Sequence, residues 1–143
     1  MKTIQAFLFG IILTVLLVGC AGVATKKTEA VRPPAGTLDA AAVTALFSGK
    51  TVESVLDKTG RISLTYYSPT GELLQLQEGK KRSGKWEVRE DGRICLDFPG
   101  DDRQCRAIVK EGGVYRKYIV KKDGKHEPVV TYKSFRDGNL IDN

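Results

Sequence analysis

Apolar and polar side chains alternate along the chain from about residue 50 onward, and this is the period of a half-buried β-strand. Turn-forming stretches such as Ser68-Pro69-Thr70-Gly71 and Asp91-Gly92 interrupt the alternation at short intervals. The pattern predicts about eight strands. We place them at residues 50–57, 61–68, 72–78, 84–90, 93–98, 103–110, 113–121 and 127–135.

The connections between these predicted strands are too short to hold a crossover helix, so successive strands must be antiparallel neighbours. An open sheet leaves two unpaired edges, and closure into a barrel removes both of them. We therefore expect a mainly β fold, in which an antiparallel meander closes into a small barrel of calycin or lipocalin type. A strongly curled open sheet is the alternative.

One segment ahead of the strands has helical periodicity, from Thr37 to Ser48. Thr37 or Asp39 is suited to cap its first turn, and Gly49 is suited to end it in the left-handed conformation. The apolar side chains that fall on one face are Leu38, Ala42, Val43, Leu46 and Phe47. The helix is short, so we expect its apolar face to pack on the sheet or to plug one end of the barrel.

The first 19 residues, MKTIQAFLFGIILTVLLVG, have the form of a secretory signal. The apolar run is shorter than the roughly 20 residues that a transmembrane helix needs. Leu17-Val18-Gly19-Cys20 at its end resembles the lipobox of bacterial lipoproteins. That resemblance implies that a peptidase cuts before Cys20 and that the thiol of Cys20 carries a diacylglycerol. An uncleaved membrane helix is the alternative.

Three segments follow from this interpretation: a signal peptide over 1–19, a lipidated Cys20 with a tether over 20–36, and a barrel domain over 37–143. Two or three acyl chains make a durable anchor, whereas a single chain binds a membrane only reversibly. Ala21 follows Cys20. By resemblance to the sorting rules of enteric-type envelopes, it implies an anchor in the outer membrane, facing the periplasm.

The chain is basic, with 23 Lys and Arg against 17 Asp and Glu. Loss of the signal removes only Lys2, which leaves a net charge of about +5 on the mature protein. A positive balance favours anionic surroundings such as lipid head groups or acidic polymers. An ordinary surface with a modest positive bias is the alternative. Nucleic acid is not expected as a partner of an exported protein.

Two basic clusters form a candidate patch for an anionic ligand. They consist of Lys80, Lys81 and Arg82 in one connection and Lys121, Lys122 and Lys125 in another. Every second connection of a meander lies at the same end, so we expect the two clusters to be neighbours. Two solvated turns without a ligand are the alternative.

Cys95 and Cys105 remain once Cys20 carries lipid. An even pair in an oxidising compartment indicates a disulfide. A hairpin centred on Gly100 sets the two cysteines opposite each other, close enough to bond. The same register sets Ile94 opposite Arg106, and a β-bulge near Arg106 would resolve that mismatch.

Residues suited to catalysis are scarce. His126 is the one histidine, and it lies in a Lys-, Asp- and Gly-rich turn that predicts exposure to solvent. Adjacent acids such as Glu90-Asp91 lie in turns, where acidic residues are common for backbone reasons. No phosphate-binding glycine loop and no cluster of metal ligands stands out in the sequence. We therefore predict a protein that is not an enzyme and that needs no metal or cofactor.

A second resemblance covers about residues 38–135. It rests on Leu46-Phe47-Ser48-Gly49-Lys50-Thr51, Tyr67-Ser68-Pro69-Thr70-Gly71, Gly84-Lys85-Trp86, and Asp91-Gly92-Arg93-Ile94-Cys95 followed by Cys105. In these motifs the chain is similar to a group of small exported bacterial proteins. The resemblance implies a barrel-like domain with a cysteine pair, and it implies no activity.

Two functions are consistent with these features. The first is a monomeric, non-catalytic binding module on a membrane anchor that takes a small hydrophobic or anionic ligand. The second is a protein-interaction role, either as an inhibitor of an envelope enzyme or as an accessory subunit of an envelope assembly.

Overall fold

The computed structural model describes residues 32–142 and confirms the mainly β architecture. One helix precedes eight strands. The elements are α1 (Ala40–Phe47), β1 (Lys50–Leu56), β2 (Ile62–Tyr67), β3 (Glu72–Gln77), β4 (Lys80–Val88), β5 (Ile94–Asp97), β6 (Gln104–Glu111), β7 (Val114–Val120) and β8 (His126–Asp137). Each strand pairs antiparallel with the next, and β8 pairs with β1 to close the barrel.

The ends of the observed strands lie within two residues of the predicted ones except at the start of β4, which we placed at residue 84. The connection between β3 and β4 is only the pair Glu78-Gly79, and both residues have positive φ, 50° and 75°. Two-residue turns of this kind match the twist of a hairpin. The basic run that begins at Lys80 therefore lies in a strand, and our assignment of it to a loop is wrong.

The helix α1 lies at the closed end of the barrel, which we define as the end with the α1–β1, β2–β3, β4–β5 and β6–β7 connections. Asp39 caps α1, and its carboxylate accepts a hydrogen bond from the Ala42 amide at 2.8 Å. Thr37, the other predicted cap, instead forms a β-bridge with Val109 of β6. Gly49 ends the helix with φ 75°, as predicted.

The half of the interior next to α1 is an apolar core. Phe47 is completely buried, and its ring packs edge-on against Tyr67 at 4.9 Å and Tyr132 at 5.1 Å between ring centres. A register shift between β1 and β8 sets Val52 opposite Phe135 and Ser54 opposite Tyr132. Because of this bulge, both aromatic side chains of β8 point inward. The remaining core residues include Val43, Leu73, Trp86, Ile94 and Ile108.

The predicted disulfide joins Cys95 of β5 to Cys105 of β6, and the two residues lie directly opposite each other. The pairing continues without a shift to Ile94 and Arg106, so the bulge that we considered near Arg106 is absent from this strand pair. The mismatch is resolved in two other ways. Arg106 takes an inward position beside Ile94. Val109, on the cysteine face, is fully buried next to Gly36 and Thr37.

The predicted signal peptide, Cys20 and the tether up to residue 31 lie outside the described residues. Within the described residues, no helix has the length and apolar character needed to cross a membrane.

Candidate functional site

The half of the barrel away from α1 contains a cavity of about 250 Å³. It opens at what we call the open end, which has the β1–β2, β3–β4, β5–β6 and β7–β8 connections. Tyr67 and Tyr132 belong to the apolar core and also line the cavity, so they form the boundary between the two. Small-molecule sites in proteins start at roughly 300 Å³, so this cavity is suited to a small ligand.

One wall of the cavity consists of hydroxyl and amide groups. The hydroxyl oxygens of Ser54 on β1 and Ser63 on β2 lie 3.0 Å apart in a hydrogen bond. Deeper in the same wall, the side-chain amide of Gln75 donates to the Thr65 hydroxyl at 3.1 Å. Gln77 on β3 pairs with Ser63 and extends this wall towards the opening. Because these side chains both donate and accept hydrogen bonds, they are suited to bind the polar groups of a ligand.

Arg82 spans the mouth and is held from three sides. Its Nε donates to Gln75 Oε1 at 2.7 Å, and one terminal nitrogen donates to Asp101 at 2.8 Å. The guanidinium carbon lies 3.8 Å from the centre of the Phe98 ring, within the range of a cation–π contact. Phe98 and Leu96 of β5 form the apolar wall of the cavity. Because Asp101 already neutralises the charge of Arg82, we assign Arg82 a structural role at the opening of the cavity.

Lys117 of β7 is a cation of the cavity without an ion-pair partner among the described residues, whereas the carboxylates of Asp101 and Asp102 line the mouth. It lies opposite Ile108 on one side and Val130 on the other, both inward-facing, and it lines the cavity. Among the described residues, no carboxylate forms an ion pair with it. Burial, with a smaller contribution from the nearby Arg106, lowers the pKa of Lys117 to about 8. The amine is therefore still largely protonated at neutral pH.

Tyr132 contributes a buried hydroxyl to the same cavity. Its side chain is 5% exposed, and its hydroxyl oxygen has no hydrogen-bond partner among the described residues. Burial, together with the neighbouring Tyr67, raises the pKa of Tyr132 well above the usual value for tyrosine. Burial also raises the pKa of Tyr67. Both phenols are therefore neutral hydrogen-bond donors at any physiological pH.

No protein-family model, curated protein or solved structure matches the chain.

The predicted basic patch is divided in the structure. The β3–β4 and β7–β8 connections share the open end, as expected, but four strands separate them in either direction around the barrel. The two clusters therefore lie on opposite sides of the opening and are not neighbours. The expectation of neighbouring clusters is wrong because closure of the sheet places these hairpins across from each other.

Most of the predicted patch residues already have an ion-pair partner. Lys81 forms an ion pair with Asp142 at 2.7 Å, Lys125 forms one with Asp123 at 3.5 Å, and Lys121 forms one with Glu127. Lys80 and Lys122 are exposed and have no ion-pair partner among the described residues. Of the six predicted patch residues, only Arg82 lines the cavity.

His126 lies at the start of β8 and not in a turn. One ring nitrogen, Nε2, lies 2.9 Å from the carbonyl oxygen of Arg32, and the other is buried. The residue is half-buried, so the prediction of a solvent-exposed histidine in a turn is only partly correct. Within residues 32–142, no group of three or more His, Cys, Asp or Glu side chains is placed to hold a metal ion.

Sequence reasoning did not identify Lys117. The one signal available was its position between two apolar residues of the same strand face, Tyr115 and Ile119. The opposite face of β7 carries Val114, Tyr118 and Val120, which are equally apolar. The pattern of the strand alone therefore does not say which face points into the barrel.

Proposed function

We propose that this protein is a non-catalytic binding module that takes a small anionic ligand into the open end of its barrel. The observation that carries the proposal is the position of Lys117. A lysine inside a barrel loses hydration, and it is normally matched by a carboxylate. Here no carboxylate of the described residues forms an ion pair with the amine, and Lys117 lines an open cavity. A bound anion supplies the missing charge.

The cavity favours an anionic ligand over the hydrophobic one that the sequence left open. Its lining is dominated by hydroxyl, amide and charged groups, and apolar contact comes mainly from Leu56, Leu96, Phe98 and Val130. An apolar ligand would strip water from Lys117 and Gln77 without replacing their hydrogen bonds. An anion with polar substituents keeps those groups satisfied.

We also propose that the module works in the cell envelope on a lipid anchor at Cys20, in the outer membrane and facing the periplasm. The lipobox resemblance of residues 17–20 supports the anchor, and Ala21 supports the outer membrane. A disulfide between Cys95 and Cys105 fits an oxidising compartment.

The test of anion binding is calorimetric titration of the purified full-length protein with inorganic phosphate and with acetate. The variants are Lys117→Met, which removes the cavity charge, and Lys122→Met, which removes an exposed charge from the β7–β8 connection. We expect saturable binding to the wild type and to Lys122→Met, and at least a tenfold loss in Lys117→Met. Absence of binding, or equal binding by Lys117→Met, would refute the proposal.

A protein-interaction role is the second candidate, and exposed apolar side chains at the open end favour it. Ile62 and Val120 are each 56% exposed, and both lie next to connections at this end. Affinity capture from envelope extract with the wild type and with Ile62→Asp tests this role. A protein captured by the wild type and lost with Ile62→Asp supports the role, and identical captures contradict it.

A further inference from the structure

The neutral wall of the cavity has more polar groups than an anion alone requires. Ser54, Ser63 and Gln77 come from the three neighbouring strands β1, β2 and β3 and lie side by side, because Ser54 pairs with Ser63 and Ser63 pairs with Gln77. Tyr132 of β8 lies opposite Ser54 and extends the row to a fourth strand. A continuous row of neutral donors and acceptors is suited to a molecule that has several hydroxyl groups.

Hydroxyl-rich ligands also have an apolar side, where their C–H groups point. The cavity has a matching surface in Leu96 of β5 and Phe98 directly after that strand, on the far side of the barrel from β1. One face of Phe98 is covered by Arg82, so the ring is fixed in position. A ligand between these walls would have its hydroxyl groups on the β1–β3 side and its carbon skeleton on the β5 side.

The positive side of the cavity lies between these two walls. Lys117 on β7 lines the cavity, and the charge of Arg106 on β6 is near enough to lower the pKa of Lys117. Neither residue forms an ion pair among the described residues. The buried hydroxyl of Tyr132, on the strand next to Lys117, is an additional donor without a partner. A cation and a phenol that both line the cavity from neighbouring strands are suited to a single carboxylate or phosphate group.

We infer that the ligand is a polyhydroxylated anion of about monosaccharide size, a sugar acid or a sugar phosphate. A volume of about 250 Å³ has room for one such ring inside the barrel. This inference rests on the proposed function, since it specifies the chemistry of the anion that binds beside Lys117.

The experiment compares three ring compounds on the full-length protein by calorimetry at pH 7. D-glucuronate has both the charge and the hydroxyl groups, cyclohexanecarboxylate has the charge alone, and D-glucose has the hydroxyl groups alone. We expect glucuronate to bind at least tenfold more tightly than either of the other two. Glucose 6-phosphate is the fourth arm, and its affinity relative to glucuronate distinguishes a phosphate ligand from a carboxylate.

The outcomes separate the inference from the proposed function. If cyclohexanecarboxylate binds as tightly as glucuronate, the anion site stands and the polyhydroxylated ligand is wrong. If glucose binds as tightly as glucuronate, the charge plays no part and both proposals fail. If none of the four compounds binds while inorganic phosphate does, the inference fails alone.

A pair of serine variants tests the neutral wall directly. Ser63→Ala removes an inward hydroxyl, and Ser83→Ala removes a hydroxyl from the exposed side of β4. Loss of one hydrogen bond to a ligand is worth about 1 kcal/mol, so we expect Ser63→Ala to weaken glucuronate roughly fivefold. Cyclohexanecarboxylate should be unaffected, and Ser83→Ala should change neither. Equal loss for both compounds in Ser63→Ala would overturn the role assigned to this wall.

Discussion

Lys117 of β7 lies directly opposite Ile108 of β6, so a primary amine is held beside a side chain that is completely buried. On its other side Lys117 faces Val130 of β8. Burial beside these apolar neighbours removes water from the amine and lowers the pKa of Lys117, and the nearby charge of Arg106 lowers it further. The barrel thus tolerates an unfavourable position for a charge, and the anionic ligand that we propose would stabilise that charge.

The first prediction concerns the cost of this charge to stability. Lowering of the Lys117 pKa from 10.5 to about 8 means that the protonated amine opposes folding at neutral pH. One pKa unit corresponds to about 1.4 kcal/mol. We expect Lys117→Met to raise the free energy of unfolding at pH 7 by on the order of 1–2 kcal/mol, measured by urea denaturation of the full-length protein without ligand.

The control and the pH dependence sharpen that prediction. Lys122→Met, which removes an exposed lysine, should leave the stability within about 0.5 kcal/mol. Between pH 8 and 10.5 the unfolded chain binds the proton that Lys117 has lost, so the wild type gains stability as the pH rises. The advantage of Lys117→Met should therefore shrink above pH 8. A Lys117→Met variant that is less stable than the wild type would show that the amine has a favourable partner.

The second prediction concerns the disulfide. Cys95 and Cys105 close a loop with a sequence separation of 10 residues. The loss of chain entropy in the unfolded state predicts a stabilisation of about 3 kcal/mol for a loop of this size. We expect the Cys95→Ala/Cys105→Ala variant to unfold at lower urea, and reductant to bring the wild type to the same midpoint. A variant with unchanged stability would contradict this account.

Ligand binding offers a check that the disulfide acts on the fold and not on the site. Cys95 and Cys105 lie on the outer face of the sheet, because their neighbours Ile94 and Leu96 face inward. Folded Cys95→Ala/Cys105→Ala protein should therefore bind phosphate with the affinity of the wild type.

The third prediction concerns the packing of α1 on the barrel. Gly92 in the β4–β5 turn has φ 79°, and a Cβ atom there would lie 2.4 Å from the carbonyl oxygen of Leu38. Gly60 in the β1–β2 turn has φ 69° and open space around it. Left-handed backbone costs a non-glycine residue roughly 1–2 kcal/mol. We expect Gly60→Ala to cost about that much and Gly92→Ala about 2 kcal/mol more because of the overlap.

The difference between these two alanine variants isolates the contact between the β4–β5 turn and the segment before α1. Thermal unfolding followed by circular dichroism measures it. Equal midpoints for Gly60→Ala and Gly92→Ala would mean that the turn can move away from Leu38 at little cost.

The fourth prediction concerns the anchor. Cys20→Ser removes the thiol that the proposed lipid occupies, so we expect the protein to leave the membrane fraction on cell fractionation. Ala21→Asp keeps the thiol and, by resemblance to enteric sorting rules, should stay lipidated but move to the inner membrane. A Cys20→Ser variant that remains in washed membranes would show that the attachment does not depend on lipidation.

The sequence predicts the barrel well because the barrel depends on local signals. Short connections such as Gly112-Gly113 force antiparallel neighbours, and the turn at Gly100 sets Cys95 opposite Cys105. The start of β4 was missed because a run of three basic residues resembles a solvated loop, while the two positive-φ residues Glu78 and Gly79 end the turn sooner.

The cavity could not be predicted in the same way. On β2 the inward side chains are Ser63, Thr65 and Tyr67, and the outward face carries the more apolar Ile62 and Leu64. An alternating pattern identifies two faces without saying which points inward. On the neighbouring strand β1 the outward Thr51 is completely buried, and Leu140 and Gly138 of the C-terminal segment hydrogen-bond to it. That covering segment lies far along the chain, so local reasoning does not detect it.

The most direct test of the anion site is the pKa of Lys117, measured by NMR titration of labelled lysine side chains in the full-length protein. The Lys117→Met variant assigns the resonance. Without added anion we expect a pKa near 8, and saturating glucuronate or phosphate should raise it because a negative charge beside the amine favours the protonated form. A pKa near the ordinary value of about 10.4 that does not respond to either anion would contradict the account.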